Sequence, residues 1–100
     1  MRFEEFINCC FRDVKELIIA IERTQDNILK RLAREFIIAY VPSSDWYNIL
    51  RVEFAGDSVP LDSLEKLIEI AKARGWQIYV DLFRDGAAIR LVKKYKVKEG

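Results

Sequence analysis

Apolar residues at the start of the chain follow the spacing of an amphipathic helix. One stripe recurs every three or four residues, through Phe3, Ile7, Cys10, Val14, Leu17 and Ile21. Residues 24–27 then bring together four residue types that favour helix caps over helix interiors. We therefore expect a helix over residues 1–23 and a second, shorter helix from Ile28 to Glu35. The alternative is one long helix that pairs with its copy in a dimer.

The next apolar stretch is typical of a β-hairpin. Residues 36–41 and 46–55 are rich in β-branched and aromatic residues, and they flank the turn sequence Pro42-Ser43-Ser44-Asp45. A four-residue turn would divide the hairpin into two apolar faces, with Ile38, Tyr40, Tyr47 and Ile49 on one and Ile37, Ala39 and Leu50 on the other. A helix can cover one of these faces, and the second face needs the N-terminal helix or another subunit.

A further helix is expected between the two halves of the sheet. Asp62 and Glu65 have the spacing of a capping box, in which each side chain accepts a backbone N–H at the start of the helix. Gly75 provides the residue at which such a helix usually stops.

The last third of the chain predicts a second hairpin. Residues 76–83 and 87–97 flank Asp85-Gly86, the strongest short signal for a two-residue turn. That turn predicts the pairs Leu82 with Ile89, Asp81 with Arg90, Val80 with Leu91, Gln77 with Lys94 and Trp76 with Tyr95. Alternation makes one face of this hairpin apolar, and Lys93 is the exception on that face.

Together these elements predict a single α+β domain over residues 1–100. The expected order is α(α)ββαββ, with helices packed on a four-stranded antiparallel or mixed sheet. Weak internal similarity, such as that between Ala33-Arg34 and Ala73-Arg74, suggests two αββ units that follow the N-terminal helix.

Composition narrows the function classes. Seventeen basic and sixteen acidic residues give a net charge of +1, so any electrostatic function must be local. Neither a membrane span nor a signal peptide is evident, and we expect a cytoplasmic protein. Abundant charged residues, few Asn and Gln and no His are typical of thermophilic sources, including archaea and their viruses.

The absence of histidine excludes much of enzyme chemistry. Ser-His and Cys-His catalysis and His-ligated zinc all require it, and the chain contains none. Cys9 and Cys10 are adjacent and cannot supply the spaced pairs of a zinc site. We therefore expect no catalytic residue, no metal site and no cofactor. A carboxylate-dependent metal nuclease or hydrolase is the least supported alternative.

The last strand concentrates positive charge. Alternation predicts a basic sheet face formed by Arg51, Tyr79, Arg90, Lys94, Lys96 and Lys98. Aromatic rings among cations on an open sheet bind single-stranded DNA or RNA by stacking bases and neutralising phosphates. The alternative is that lysines on a terminal edge strand keep the sheet from aggregating.

The wide apolar surface of the N-terminal helix and the two apolar faces of the first hairpin predict self-association through one or the other element. We expect a homodimer whose interface contains Phe3, Ile7, Cys10, Val14, Leu17 and Ile21. One alternative is a monomer in which this helix folds back over the sheet. Another is a scaffold module that docks a different protein on the same helix.

Overall fold

Three helices and four strands follow one another in the described parts of the chain in the predicted order. The computed structural model describes residues 2–42, 47–56, 59–84 and 86–96. The helices are α1 (Phe3–Arg23), α2 (Asn27–Leu32) and α3 (Leu61–Ala73). The strands are β1 (Phe36–Pro42), β2 (Tyr47–Gly56), β3 (Gln77–Phe83) and β4 (Gly86–Lys96). The α+β class and the order α(α)ββαββ are therefore confirmed.

The four strands form one antiparallel sheet in the order β1-β2-β4-β3. The two hairpins meet along β2 and β4, the second strand of each, so β1 and β3 are the outer strands. The succession α2-β1-β2 and α3-β3-β4 is the arrangement that two αββ units would produce, and the repeat itself stays a prediction.

The helix break falls where the sequence predicts it. Thr24 donates its Oγ1 hydroxyl to the Ile21 carbonyl, Gln25 adopts a left-handed φ of 60°, and Asp26 then caps α2. A positive φ interrupts the helical path, so one continuous helix to Glu35 is ruled out. The second helix is shorter than expected, because residues 33–35 turn towards β1.

Asp26 joins two helices as well as capping one. Its Oδ1 accepts the backbone N–H of Ile28 at 2.9 Å and of Leu29 at 3.2 Å, and its Oδ2 accepts the hydroxyl of Ser63 in α3 at 2.7 Å. Lys66 Nζ lies 3.5 Å from the same Oδ2. The hydrogen bond from Ser63, with smaller contributions from the two backbone donors, lowers the pKa of Asp26 below its ordinary value.

The predicted capping box of α3 is wrong, whereas its predicted stop is confirmed. The helix begins at Leu61 behind Pro60, whose ring holds φ at −58°, so Asp62 lies inside the first turn and is not the N-cap. At the other end Gly75 adopts φ 81°. The N–H groups of Gly75 and Trp76 return to the carbonyls of Lys72 and Ala71, which closes the helix as a Schellman motif.

All three helices pack on the same face of the sheet. One cluster of buried side chains contains Phe6, Leu17 and Ile21 of α1, Leu29 and Leu32 of α2, Leu67 and Ala71 of α3, Leu50, Val52 and Phe54 of β2, and Ile89 and Leu91 of β4. The Phe6 ring meets the rings of Tyr40 and Tyr95 edge-on at 6.1 Å and 5.4 Å. The other face of the sheet is therefore not covered by these helices. None of them is long and apolar enough to cross a bilayer.

The predicted register of the first hairpin is wrong by three residues. Tyr40 pairs with Leu50 and Ile38 with Val52, and Pro42 pairs with Asn48 at the end of the ladder. An odd shift exchanges the two faces of β2 relative to β1. Leu50, Val52 and Phe54 thereby enter the core, while Ile49 and Tyr47 move to the uncovered face.

The predicted register of the second hairpin is wrong by two residues. Leu82 pairs with Ala87, Val80 with Ile89 and Tyr79 with Arg90, and the ladder closes at Phe83 with Gly86. The strands thus close one position earlier than an Asp85-Gly86 turn predicts, and Asp85 itself lies outside the described residues. An even shift keeps every side chain on its face. The predicted division into an apolar and a basic face is therefore preserved.

Substitution of the interhelical cap tests this description. We expect Asp26→Ala to lower the free energy of unfolding at pH 7 by about 1–2 kcal/mol, because an N-cap and a helix–helix hydrogen bond are lost together. The folded-state pKa of Asp26 is lowered, so its stabilisation is present above the unfolded pKa of about 3.9 and is lost as pH falls through the folded value. Urea unfolding curves should therefore converge with wild type as the pH is lowered below about 4.

The matched control is Asp62→Ala, which removes a carboxylate from the first turn of α3 without removing a side-chain cap. It should change the free energy of unfolding by less than about 0.5 kcal/mol at either pH. Equal losses in the two variants would contradict the role assigned to Asp26.

Candidate functional site

The uncovered face of the sheet carries most of the residues predicted to form a basic surface. Tyr79 and Arg90 are direct cross-strand partners, Lys94 pairs with Ile49, and Arg51 pairs with Val92. These side chains line one shallow cavity of about 250 Å³, whose wall consists of Val41, Ile49, Arg51, Tyr79, Arg90, Val92 and Lys94. Four of the six predicted residues are therefore brought together.

The other two residues lie along the same strand. Lys96 pairs with Tyr47 one step of the alternation beyond Lys94, so it extends the basic surface towards the end of β4. Lys98 lies outside the described residues. Tyr47, on the same face, is exposed and adds a second aromatic ring beside Lys96.

Tyr79 is a half-exposed ring held next to a cation. Its side chain is 47% exposed, and the guanidinium carbon of Arg90 lies 5.3 Å from the ring centroid. This distance is within the range of a cation–π contact, which holds the two side chains together on the surface. The pair presents an aromatic face and a positive charge at one point of the sheet.

Arg51 is held by a neighbouring carboxylate on its own strand. Its Nε lies 3.0 Å from Glu53 Oε1, and both side chains are more than a third exposed. This Nε is buried and lacks an aligned hydrogen-bond partner, so the contact is an ion pair and not a directed hydrogen bond. An exposed pair of this kind is worth about 0–1 kcal/mol and leaves Arg51 able to exchange partners.

Charge on the uncovered face changes sign along the strands. A second hollow, of about 200 Å³, adjoins Arg90 and is lined by the carboxylates Glu35, Glu53 and Asp81. Lys94 and Lys96 lie towards the other end of the face. A polyanion on this sheet would therefore be attracted to the end with Lys94 and Lys96 and repelled at the end with Glu35 and Asp81.

The carboxylates of that second hollow do not make a metal centre. Among the described residues no three Cys, Asp or Glu side chains lie close enough together to hold a metal ion. Arg90 also lines this hollow, so a positive charge accompanies the three acidic residues. The hollow is better described as the acidic border of the basic surface.

Protection of a terminal edge strand explains only part of the positive charge. β4 lies between β2 and β3, and β3 accompanies it as far as Val92. Arg51 and Arg90 therefore belong to parts of the sheet that are paired on both sides. Beyond Val92, β3 no longer pairs with β4 among the described residues, so of these cations edge protection applies to Lys94 and Lys96.

The opposite side of β4 is anchored by a polar cluster in which the buried Asp13 meets the partly buried Lys93 and Tyr95. Tyr95 donates its hydroxyl to Asp13 Oδ2, and Lys93 Nζ lies 3.4 Å from the same oxygen. Lys93 also donates to the Arg74 carbonyl at the end of α3, at 2.8 Å, and lies 5.5 Å from the centroid of the buried Trp76 ring. One ammonium group thus connects β4 with α1 and α3.

Burial and this cluster also alter the protonation of Tyr95. Burial raises the pKa of its phenol well above the ordinary value, and the hydrogen bond to Asp13 raises it further because phenolate would face a carboxylate. Tyr95 is therefore a fixed hydrogen-bond donor. Since Lys93 and Tyr95 alternate with Lys94 and Lys96 along β4, anchoring the first two holds the last two towards solvent.

Sequence reasoning missed Asp13, although two signals were present. Asp13 lies on the buried side of α1 between Cys10 and Leu17, and its side chain is only 6% exposed. Lys93 is likewise the one charged residue of the inner face of β4. Two opposite charges, each alone on an apolar face, indicate that the two faces meet and that the charges pair.

Most of the predicted dimer stripe lies in the core of the chain itself. Cys10, Val14, Leu17 and Ile21 are buried under the sheet and α3, Ile7 is partly buried against the same cluster, and Phe3 is exposed. Burial, then the negative charge of Asp13, raises the pKa of the Cys10 thiol to about 12. Packing within one chain therefore explains why most of this stripe is apolar. A second copy could reach the four buried side chains only if the core opened.

Removal of the buried carboxylate tests the anchor. We expect Asp13→Ala to lower the free energy of unfolding by about 2 kcal/mol, because the Tyr95 hydroxyl loses its acceptor and the partly buried Lys93 ammonium keeps only the Arg74 carbonyl. Urea unfolding followed by circular dichroism measures this loss. Glu16→Ala, on the exposed side of the same helix, is the control and should stay within about 0.5 kcal/mol of wild type. A loss below about 1 kcal/mol for Asp13→Ala would contradict the anchor.

Comparisons with protein-family models, with characterised proteins and with solved structures give no match to this chain. The candidate site is accordingly defined by its own side chains. It is an open sheet surface on which Tyr79 and three cations line one cavity, bordered by carboxylates on one side and anchored from behind by Asp13.

Proposed function

We propose that this protein is a non-enzymatic, cytoplasmic binding protein that holds single-stranded nucleic acid on its uncovered sheet face. The observation that carries the proposal is the cavity that the half-exposed ring of Tyr79 lines together with Arg51, Arg90 and Lys94. Cations that neutralise phosphates and a ring that stacks on a base are the two elements such surfaces combine.

The spacing of the cations suits an extended strand. Same-face residues along β4 recur about every 7 Å, so Arg90, Lys94 and Lys96 mark out a line of positive charge along one strand. Arg51 lies on the adjacent strand and widens this line into a track. A nucleic-acid backbone along the track would meet a cation at several successive phosphates while one base reached Tyr79.

The shape of the surface favours single strands over duplexes. Duplex readers insert a helix or a two-stranded ribbon into a groove, whereas this surface is the broad face of a four-stranded sheet. Unpaired bases can lie flat on such a face and stack on an exposed ring. A duplex would present its phosphates alone and would leave Tyr79 unused.

The charge distribution predicts how the affinity depends on salt and how many nucleotides can bind. With a net charge of +1 the protein has no strong overall field, so affinity depends on the local track and falls with added salt. The carboxylates of Glu35, Glu53 and Asp81 would end the track on one side. We therefore expect short site sizes of a few nucleotides.

Docking of a different protein on α1 is the second candidate function. Phe3 and Phe11 are large exposed apolar side chains of this helix, and such side chains favour contact with another protein. Most of the apolar stripe is already buried in the core, so the surface left for a partner is smaller than the sequence suggests. The basic track combines cations with an exposed aromatic ring, which indicates a particular class of ligand more clearly than two exposed Phe side chains do.

Charge removal on the track tests the main proposal. We expect the double variant Lys94→Gln, Lys96→Gln to reduce the dependence of log K on log salt concentration by about 1.4, since each phosphate contact to a single strand contributes about 0.7. Tyr79→Ala should weaken binding by about 5- to 150-fold, the equivalent of about 1–3 kcal/mol for one stacked base. Fluorescence anisotropy with labelled oligo-dT and oligo-U, across a salt series, measures both effects.

The matched control is Lys72→Gln, which removes one exposed cation from α3 on the opposite side of the sheet. It should leave affinity and salt dependence unchanged. Absence of binding to either probe at low salt, or an equal effect of the control, would show that the track does not bind nucleic acid.

A further inference from the structure

The outer strand β1 has an unusual composition for an exposed edge. All six residues from Phe36 to Val41 are apolar, and in the described part of the chain β1 pairs with β2 alone. An outer strand offers a row of unpaired N–H and C=O groups that can add another strand. Proteins usually protect such edges with charged residues, and the other outer strand, β3, does contain Gln77 and Asp81.

Exposed apolar side chains accompany this edge on both sides of the sheet. On the helix side a groove of about 270 Å³ is lined by Phe11, Val14, Lys15, Ile18, Ile19, Ile38 and Tyr40. Phe11 is 63% exposed there, and Ile19 and Tyr40 are each exposed by just over a third. On the other side Ile37 is 66% exposed. Edge and apolar surface therefore form one continuous patch around β1.

We propose that β1 pairs antiparallel with β1 of a second copy of this chain, which forms a two-fold symmetric homodimer with an eight-stranded sheet. Antiparallel pairing of a strand with its own copy satisfies both open edges by one symmetric contact. A two-fold axis perpendicular to the sheet also keeps the helices of both copies on the same side. We call the contact between the two β1 strands the seam. The grooves beside α1 and its copy would then face each other across this seam.

The available area is sufficient for this occupant. With about 200 Å² for each fully exposed side chain, the exposed fractions of Phe11, Ile19, Ile37 and Tyr40 amount to about 400 Å² in each copy. Two copies would thus bury about 800 Å² from these four side chains, and backbone and neighbouring residues would bring the total towards the roughly 1,200–2,000 Å² of stable interfaces. The stripe of buried α1 residues has no part in this contact.

The dimer would place both basic tracks on one surface. From one β4 strand to the other the sheet would cross five strand spacings, a distance of about 24 Å. The dimer contact and the basic track use different residues, so the dimer can form without nucleic acid. If both hold, one nucleic-acid strand could engage two tracks, and its affinity would rise through effective concentration.

The solution mass of the full chain tests the seam. We expect light scattering after size exclusion, at about 100 μM protein, to give twice 11.8 kDa for wild type. Phe11→Glu and Ile37→Lys should each give the monomer mass while circular dichroism stays unchanged, because both side chains are mostly exposed. Amide hydrogen exchange over residues 36–41 should be slow in wild type and faster in both variants.

The matched control is Leu82→Lys, which adds a charge at a side chain that is 78% exposed on the opposite edge strand. This variant should keep the dimer mass. A wild-type monomer at this concentration would overturn the proposal and leave the patch for another protein. A dimer that survives both Phe11→Glu and Ile37→Lys, or one that Leu82→Lys dissociates, would overturn it by moving the interface elsewhere.

Discussion

The pleat of β4 is the constraint from which the other features follow. Successive side chains must point to opposite faces, so Lys93 has to point inward if Lys94 is to point outward. A lone ammonium beneath two helices would be costly, and Asp13, the Arg74 carbonyl and the Trp76 ring compensate for it. The polar cluster inside the protein and the basic track outside are therefore two consequences of one alternating strand.

Helices on a single face make the sheet asymmetric. The face beneath α1, α2 and α3 provides the core, while the face opposite retains Tyr79, Ile37 and the cations in contact with solvent. The charged middle of the uncovered face suits an anionic strand, and the uncharged edge at β1 suits a copy of itself.

The two hairpins show how far alternation alone can be trusted. In β3 and β4 the predicted register is two residues wrong, yet every side chain stays on its predicted face because the period of a strand is two. In β1 and β2 the error is three residues, so Leu50 was expected on the face opposite to Tyr40 and is instead its neighbour. Apolar residues on both faces of that hairpin gave no basis for choosing between the registers. Burial of Leu50, Val52 and Phe54 under the helices decides it.

Local patterns in the sequence determined the elements, the helix break at residues 24–27, the stop at Gly75 and the basic face of β4. Each of these depends on residues close together in the chain, such as a cap, a positive φ or a period of two. Tertiary structure alone decided the strand order, the pairing of Asp13 with Lys93 and Tyr95, and the burial of most of the α1 stripe within one chain. Those features join residues up to 82 positions apart, and only the packing of one helix layer on one sheet face brings them into contact.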